Sequence, residues 1–172
     1  NVGVKAQPGG TNGFVAQKAC FEYQIDLFLI KDLGKQKFTY GMVCVDVFSK
    51  FAAVVPMIDN KGGSAAAAIL ECFNKMGKKP ELLYSDGETS LDTYALREYY
   101  MTQNIKHYIT RKHAAFAERF IRTFKDALYK RMNEARVKPE NPQWQDYIFQ
   151  VMLTYNSKLK HSSTNKTPED AR

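Results

Sequence analysis

From Phe21 to Leu29 the chain alternates: Phe21, Tyr23, Ile25, Leu27 and Leu29 are interleaved with Glu22, Gln24 and Asp26, the two-residue period of a β-strand. Lys31 to Lys37, around Gly34, is a polar turn. Phe38 to Val47, rich in β-branched and aromatic residues, reads as a second strand. Phe51 to Met57 reads as a third, after the short connection Phe48-Ser49-Lys50. Three strands with links this short predict an antiparallel meander.

Beyond them the period lengthens. Ser64 is placed to cap an Ala-rich helix reaching about Met76, with Gly77 at its C-terminal end. Glu81 to Ser85 is a short strand, and Ser90 or Asp92 opens a helix closing near Asn104. Ile105 to Ile109 is a fifth strand, and strands four and five, separated by a helix, should be parallel. A long helix is expected from about Ala114 to Asn133. Another runs from Pro142 to about Ser157, with Trp144, Ile148, Val151 and Tyr155 on one stripe. Thr167-Pro168-Glu169-Asp170 carries the cap-Pro-acid signature of a last helix, cut short by the chain end. The order βββαβαβααα describes an α/β domain over residues 20–172, with a mixed five-stranded sheet of three antiparallel and then two parallel strands, flanked by helices. Residues 1–19, with Pro8-Gly9-Gly10 and Asn12-Gly13, read as a linker or N-terminal arm.

Composition narrows the function classes. With 44% hydrophobic and 13% aromatic residues, the chain can build a globular core rather than remain disordered. No stretch of 18 apolar residues occurs, so no membrane span is expected. The start, Asn1-Val2-Gly3, lacks both an initiator Met and a signal pattern, and reads as a piece of a longer protein. The net charge of +7 is one-sided. Residues 1–104 carry 11 basic and 11 acidic side chains, whereas residues 105–172 carry 14 and 7. A basic C-terminal half attracts polyanions. Cys20, Cys44 and Cys72 are isolated among apolar neighbours, which favours buried reduced thiols. His107, His113 and His161 do not pair with them at zinc spacing.

Three acids stand in or beside apolar segments, where a lone charge is costly to desolvate: Asp26, Asp86 in Leu83-Tyr84-Ser85-Asp86-Gly87, and Glu118 in His113-Ala114-Ala115-Phe116-Ala117-Glu118-Arg119-Phe120. Carboxylate oxygens without a local basic partner suit Mg²⁺ or Mn²⁺. Each acid also has a plainer reading. Asp26 shares the polar side of its strand with Glu22 and Gln24, Asp86-Gly87 is an ordinary turn pair, and Glu118 forms a row with Arg122 and Lys125 on a solvated helix face. Asp46 is a rival metal ligand, although its place at a strand end favours capping the turn that follows. Trp144 and Tyr155 share their stripe with Ile148 and Val151, which makes them core residues.

Four segments in this order resemble the catalytic core of retroviral-type (DDE) integrases. They are Val45-Asp46-Val47-Phe48-Ser49-Lys50-Phe51, Tyr84-Ser85-Asp86-Gly87, His113 to Lys125, and Trp144 with Tyr155-Asn156 and His161 to Pro168. The later segments look most like integrases of Maverick/Polinton-type transposons and retrotransposons. The resemblance implies a ribonuclease H-like fold, with Asp26, Asp86 and Glu118 as a catalytic triad holding two Mg²⁺ or Mn²⁺ ions. It implies 3′-processing and strand transfer on DNA. Arg122, Lys125, Lys112 and His113 would contact the DNA. A homodimer or higher oligomer would act in a nuclear or element nucleoprotein complex. This chain departs from the pattern in a shorter interval between Asp86 and Glu118 and in Gly87-Glu88-Thr89-Ser90 after Asp86. A ribonuclease H-like nuclease and a domesticated, catalytically silent DNA-binding module are the other readings of the same features.

Overall fold

A computed structural model describes residues 16–110 and 114–172; residues 1–15 of the expected arm, and with them Lys112 and His113, lie outside the described residues. Five strands make one sheet: β1 (Glu22–Leu29), β2 (Tyr40–Asp46), β3 (Ala52–Met57), β4 (Leu82–Ser85) and β5 (Lys106–Ile109). Their spatial order is β3-β2-β1-β4-β5. The short links make β1–β2 and β2–β3 antiparallel. The crossovers through α1 (Gly62–Met76) and α2 (Tyr94–Thr102) make β1–β4 and β4–β5 parallel. This is the ribonuclease H-like arrangement expected from the sequence.

Both faces of the sheet are covered. On one, Tyr23, Ile25, Met42, Cys44, Val55 and Leu83 meet Ala65, Ala68, Ile69, Cys72 and Met76 of α1 and Leu96 and Tyr100 of α2. On the other, Phe28, Val43, Val45, Ala52 and Val54 meet α3 (Ala115–Glu134) and α4 (Ile148–Lys158). Helix α3 buries Ala117, Phe120, Phe124, Leu128 and Met132, a stripe at helical spacing. Trp144 is fully buried between Phe28 and Phe124, with ring centroids 5.6 and 6.4 Å away. Gly41 faces Phe28 across the β1–β2 ladder, and a Cβ there would stand 2.2 Å from Cζ of that ring. The glycine makes room for the aromatic that joins the strands to α3.

The edge strand β3 is closed by a side chain. Asn156 accepts the Ala52 N–H at 3.0 Å and donates its amide to the Ala52 carbonyl at 2.9 Å, taking the place of a neighbouring strand.

Several helix starts differ from expectation. Helix α1 begins at Gly62 rather than Ser64, and the Lys61 N–H is held by Asp59 at 3.0 Å. Neither Ser90 nor Asp92 caps α2. Ser90 is buried in a 3-10 turn, Thr89–Leu91, and Asp92 is clasped by Arg97 through two bonds of 2.8 and 2.7 Å. Thr93 supplies the cap, accepting the Leu96 N–H at 3.3 Å. The turn before α4, Trp144–Tyr147, is 3-10. Thr167 and Asp170 make the expected capping bonds, yet residues 168–171 form a turn rather than a helix.

Candidate active site

The parallel register of β1 and β4 sets Glu22 opposite Leu82, Tyr23 opposite Leu83 and Gln24 opposite Tyr84. Continued by two residues on the same face, it sets Asp26 beside Asp86. Both line one open cleft of about 180 Å³, with Leu27, Phe28, Leu29, Tyr40, Asn60 and Glu88. Asp86 lies one residue beyond β4, and its Oδ1 accepts the Glu88 N–H at 3.1 Å. The turn role and the cleft role of Asp86 are therefore compatible. Behind it, Ser85 is fully buried, with its Oγ 2.7 Å from Nε2 of His107. Burial lowers the His107 pKa from its ordinary value, more than neighbouring Asp92 raises it.

Two of the three polar residues of β1 are turned away from water: Glu22 is 1% exposed and Gln24, beneath the start of α3, 8%. Gln24 Oε1 accepts the backbone N–H groups of Phe116 at 2.8 Å and Ala117 at 3.3 Å. Glu118 follows directly, exposed in the first turn of α3, and does not line the cleft with the two aspartates.

Asp46 is fully buried and caps its turn, as its position suggested. It accepts the Ser49 hydroxyl at 2.7 Å and the backbone N–H groups of Phe48 at 3.1 Å and Cys20 at 2.9 Å. Beside it, Glu22 has an Oε1 with no hydrogen-bond partner. Burial, then the charge of Asp46, pushes the Glu22 carboxyl up from its ordinary pKa, against the opposing pull of Lys50. The Lys50 ammonium bonds to the Val47 carbonyl and lies 4.0 Å from the centre of the Phe116 ring. Burial lowers its pKa.

Of the residues expected to meet DNA, Arg122 is exposed on α3. Lys125, one turn further along, is partly buried. Its ammonium donates to the Leu29 carbonyl at 2.9 Å and sits 5.7 Å from the Phe28 ring centre, because α3 passes over the end of β1 there.

Among the described residues, no group of three or more His, Cys, Asp or Glu side chains stands close enough to hold a metal ion. Two of the three expected acids share the cleft, and the third stands apart on α3. The donors nevertheless suit a hard cation. Mg²⁺ commonly takes one or two carboxylates and completes its octahedron with water and substrate phosphates, and the cleft is open with no Lys, Arg or His in its lining. Sequence reasoning missed Gln24 and Asn156. Their signal is the same in each case, an amide side chain embedded in an apolar segment. No helix among the described residues is long and apolar enough to cross a membrane.

No family model matches the chain. A retrovirus-related Pol polyprotein from transposon 297 of Drosophila melanogaster is 23% identical over 143 residues, covering 81% of this chain and 13% of that protein. A transposon-derived protein of Caenorhabditis elegans is 27% identical over 135 residues, covering 77% of this chain and 45% of that protein. The chain thus spans less than half the length of either relative. Among solved structures, the HTLV-2 integrase catalytic core domain in complex with magnesium matches in its trimeric form with a TM-score of 0.78. The identity is 20%, over 91% of this chain and 99% of that one. Its dimeric form gives 0.76 at 22% identity, over 90% and 97%. A simian T-cell lymphotropic virus intasome in complex with PP2A regulatory subunit B56 gamma gives 0.79 at 16%, over 91% and 55%. The fold is that of retroviral integrase catalytic cores, and the sequence relatives are of transposon origin.

Proposed function

We propose that the chain is the catalytic core of a DNA integrase from a transposon or retroelement of the Maverick/Polinton or retrotransposon kind, carrying out metal-dependent 3′-processing and strand transfer. The observation that carries this reading is the shared cleft of Asp26 and Asp86, which the parallel β1–β4 register brings together on one face. Asp26 and Asp86, with Glu118 from the adjoining helix, would hold Mg²⁺ or Mn²⁺. Bound there, two such ions supply activation of the attacking oxygen and charge stabilisation of the leaving oxygen in an in-line displacement. The attacking oxygen is that of water in the first reaction and of the DNA 3′-hydroxyl in the second. Asp86 stays oriented through its bond to the Glu88 N–H, and the basic C-terminal half provides counter-charge for the phosphates. The dimeric and trimeric HTLV-2 cores and the intasome support an oligomer acting on DNA; a nuclear or element nucleoprotein complex is the setting proposed for it.

The test is Mn²⁺-dependent nicking of plasmid DNA and joining of a duplex oligonucleotide to it, by the wild type and by Asp86→Asn. The variant should lose activity on the order of 10³-fold while keeping DNA affinity. Cleavage of an RNA–DNA hybrid without any joining would favour a ribonuclease H-like nuclease. DNA binding with no cleavage in either metal would favour a silent binding module.

A further inference from the structure

We propose that Gln24 is a positioning residue that caps α3 from β1 and thereby sets where Glu118 stands relative to Asp26 and Asp86. The inference rests on the metal-site reading above. An α-helix leaves its first backbone N–H groups without intrahelical acceptors, and a Ser, Thr, Asp or Asn at the N-cap normally serves those of the second and third residues. Here the N-cap is Ala114, whose side chain accepts nothing. The second and third residues are Phe116 and Ala117, and both N–H groups go to one oxygen of Gln24, 92 and 93 residues earlier in the chain. The intrahelical ladder takes over at the next residue, where the Glu118 N–H bonds to the Ala114 carbonyl at 2.9 Å. Glu118 is therefore the first residue of α3 whose N–H is held by the helix itself, and the two N–H groups before it are held by the strand.

The strand position matters as much as the bond. Gln24 precedes Asp26 by two residues on the same face of β1, so one rigid segment carries both a candidate ligand and the cap for the helix that carries another. Gln24 is 8% exposed, which shields the two bonds from competing water. A second clamp acts nearby, with the Lys50 ammonium over the Phe116 ring at 4.0 Å. An amide also caps without adding another negative charge next to Asp26, where a carboxylate would repel the candidate ligands in the absence of metal. A shift of the first turn of α3 away from β1 would carry Glu118 with it, and the two Gln24 bonds oppose that shift.

The experiment compares the 172-residue wild type with Gln24→Leu, Gln24→Asn and Gln24→Glu. Two readouts are taken, backbone amide exchange by NMR and Mn²⁺ affinity by electron paramagnetic resonance. Leucine removes the acceptor and asparagine withdraws it by one methylene. Both should speed exchange at Phe116 and Ala117 by about tenfold or more, while the β1–β2 ladder stays protected. Mn²⁺ affinity should fall by about tenfold, the scale on which residues orienting metal ligands act. Glutamate still accepts both bonds and should restore protection at the two amides. Unchanged exchange in both the leucine and asparagine variants overturns the proposal, as does faster exchange with Mn²⁺ affinity intact. A wild type with no Mn²⁺ affinity would overturn the metal reading instead, and the amide pattern keeps the two failures apart.

Discussion

The ammonium of Lys125 donates to the carbonyl of Leu29 at 2.9 Å, tying the second turn of α3 beyond Glu118 to the end of β1. Lys125 and Arg122 share a helix face in sequence but differ in role. Arg122 is exposed, whereas Lys125 is partly buried with its ammonium over the Phe28 ring. Arg122→Glu should flatten the slope of log affinity for duplex DNA against log salt by about one unit, with native melting. Lys125→Glu should instead destabilise the fold by about 1–2 kcal/mol, through the lost bond and the lost contact with the ring. Salt titrations of binding beside melting curves separate the two effects.

Asp46 is expected to be structural. Asp46→Ala strands the buried Ser49 hydroxyl and the part-buried N–H groups of Phe48 and Cys20, at a cost of roughly 2–4 kcal/mol. Asp46→Asn keeps an acceptor oxygen and should retain most Mn²⁺-dependent cleavage. A loss of cleavage as deep as that of Asp86→Asn, in a folded protein, would make Asp46 a metal ligand.

Gly41→Ala should destabilise the chain by about 1–3 kcal/mol, because the new Cβ meets the Phe28 ring at 2.2 Å and the ring is wedged against Trp144 and Phe124. Chemical denaturation measures the loss. Adding Phe28→Leu to Gly41→Ala should recover part of it, since the clash goes with the ring.

The raised pKa of Glu22 makes a statement about stability against pH. A carboxyl that ionises less readily in the folded state than in the unfolded one supports folding fully below the unfolded value of 4.5. That support is lost as pH rises through the folded value. Glu22→Gln, which stays neutral, should therefore match the wild type near pH 4 and be the more stable of the two at pH 7 to 8. Melting curves of both proteins across that range check it. A wild type that gains stability over the variant with rising pH would show that Lys50 outweighs burial.

The strands were legible in the sequence because each is short, β-rich and bounded by turn residues, and their ends fall within about two residues of expectation. The helix starts were less so. Capping depends on which side chain has a free oxygen, and Asp92 was already engaged by Arg97. The polar side of β1 was misleading for a similar reason. Alternation at Glu22, Gln24 and Asp26 says that one side is polar, not whether water or a helix covers it. Only the fold shows Gln24 under α3 and Lys125 turned back to Leu29. The pairing of Asp26 with Asp86 could be anticipated, because a parallel register follows from the helical crossover, but the distance to Glu118 depends on a helix whose start is set by tertiary contacts.

Whether Asp26, Asp86 and Glu118 hold a divalent metal can be seen in a crystal of the protein soaked in Mn²⁺. Anomalous scattering locates the ion without reference to activity. The expected result is manganese in the Asp26–Asp86 cleft, with carboxylate oxygens of both at roughly 2.0–2.2 Å and Glu118 drawn in to complete the set. Manganese bound elsewhere, or a cleft that stays free of it at saturating concentration, would mean that these three acids are not a metal site.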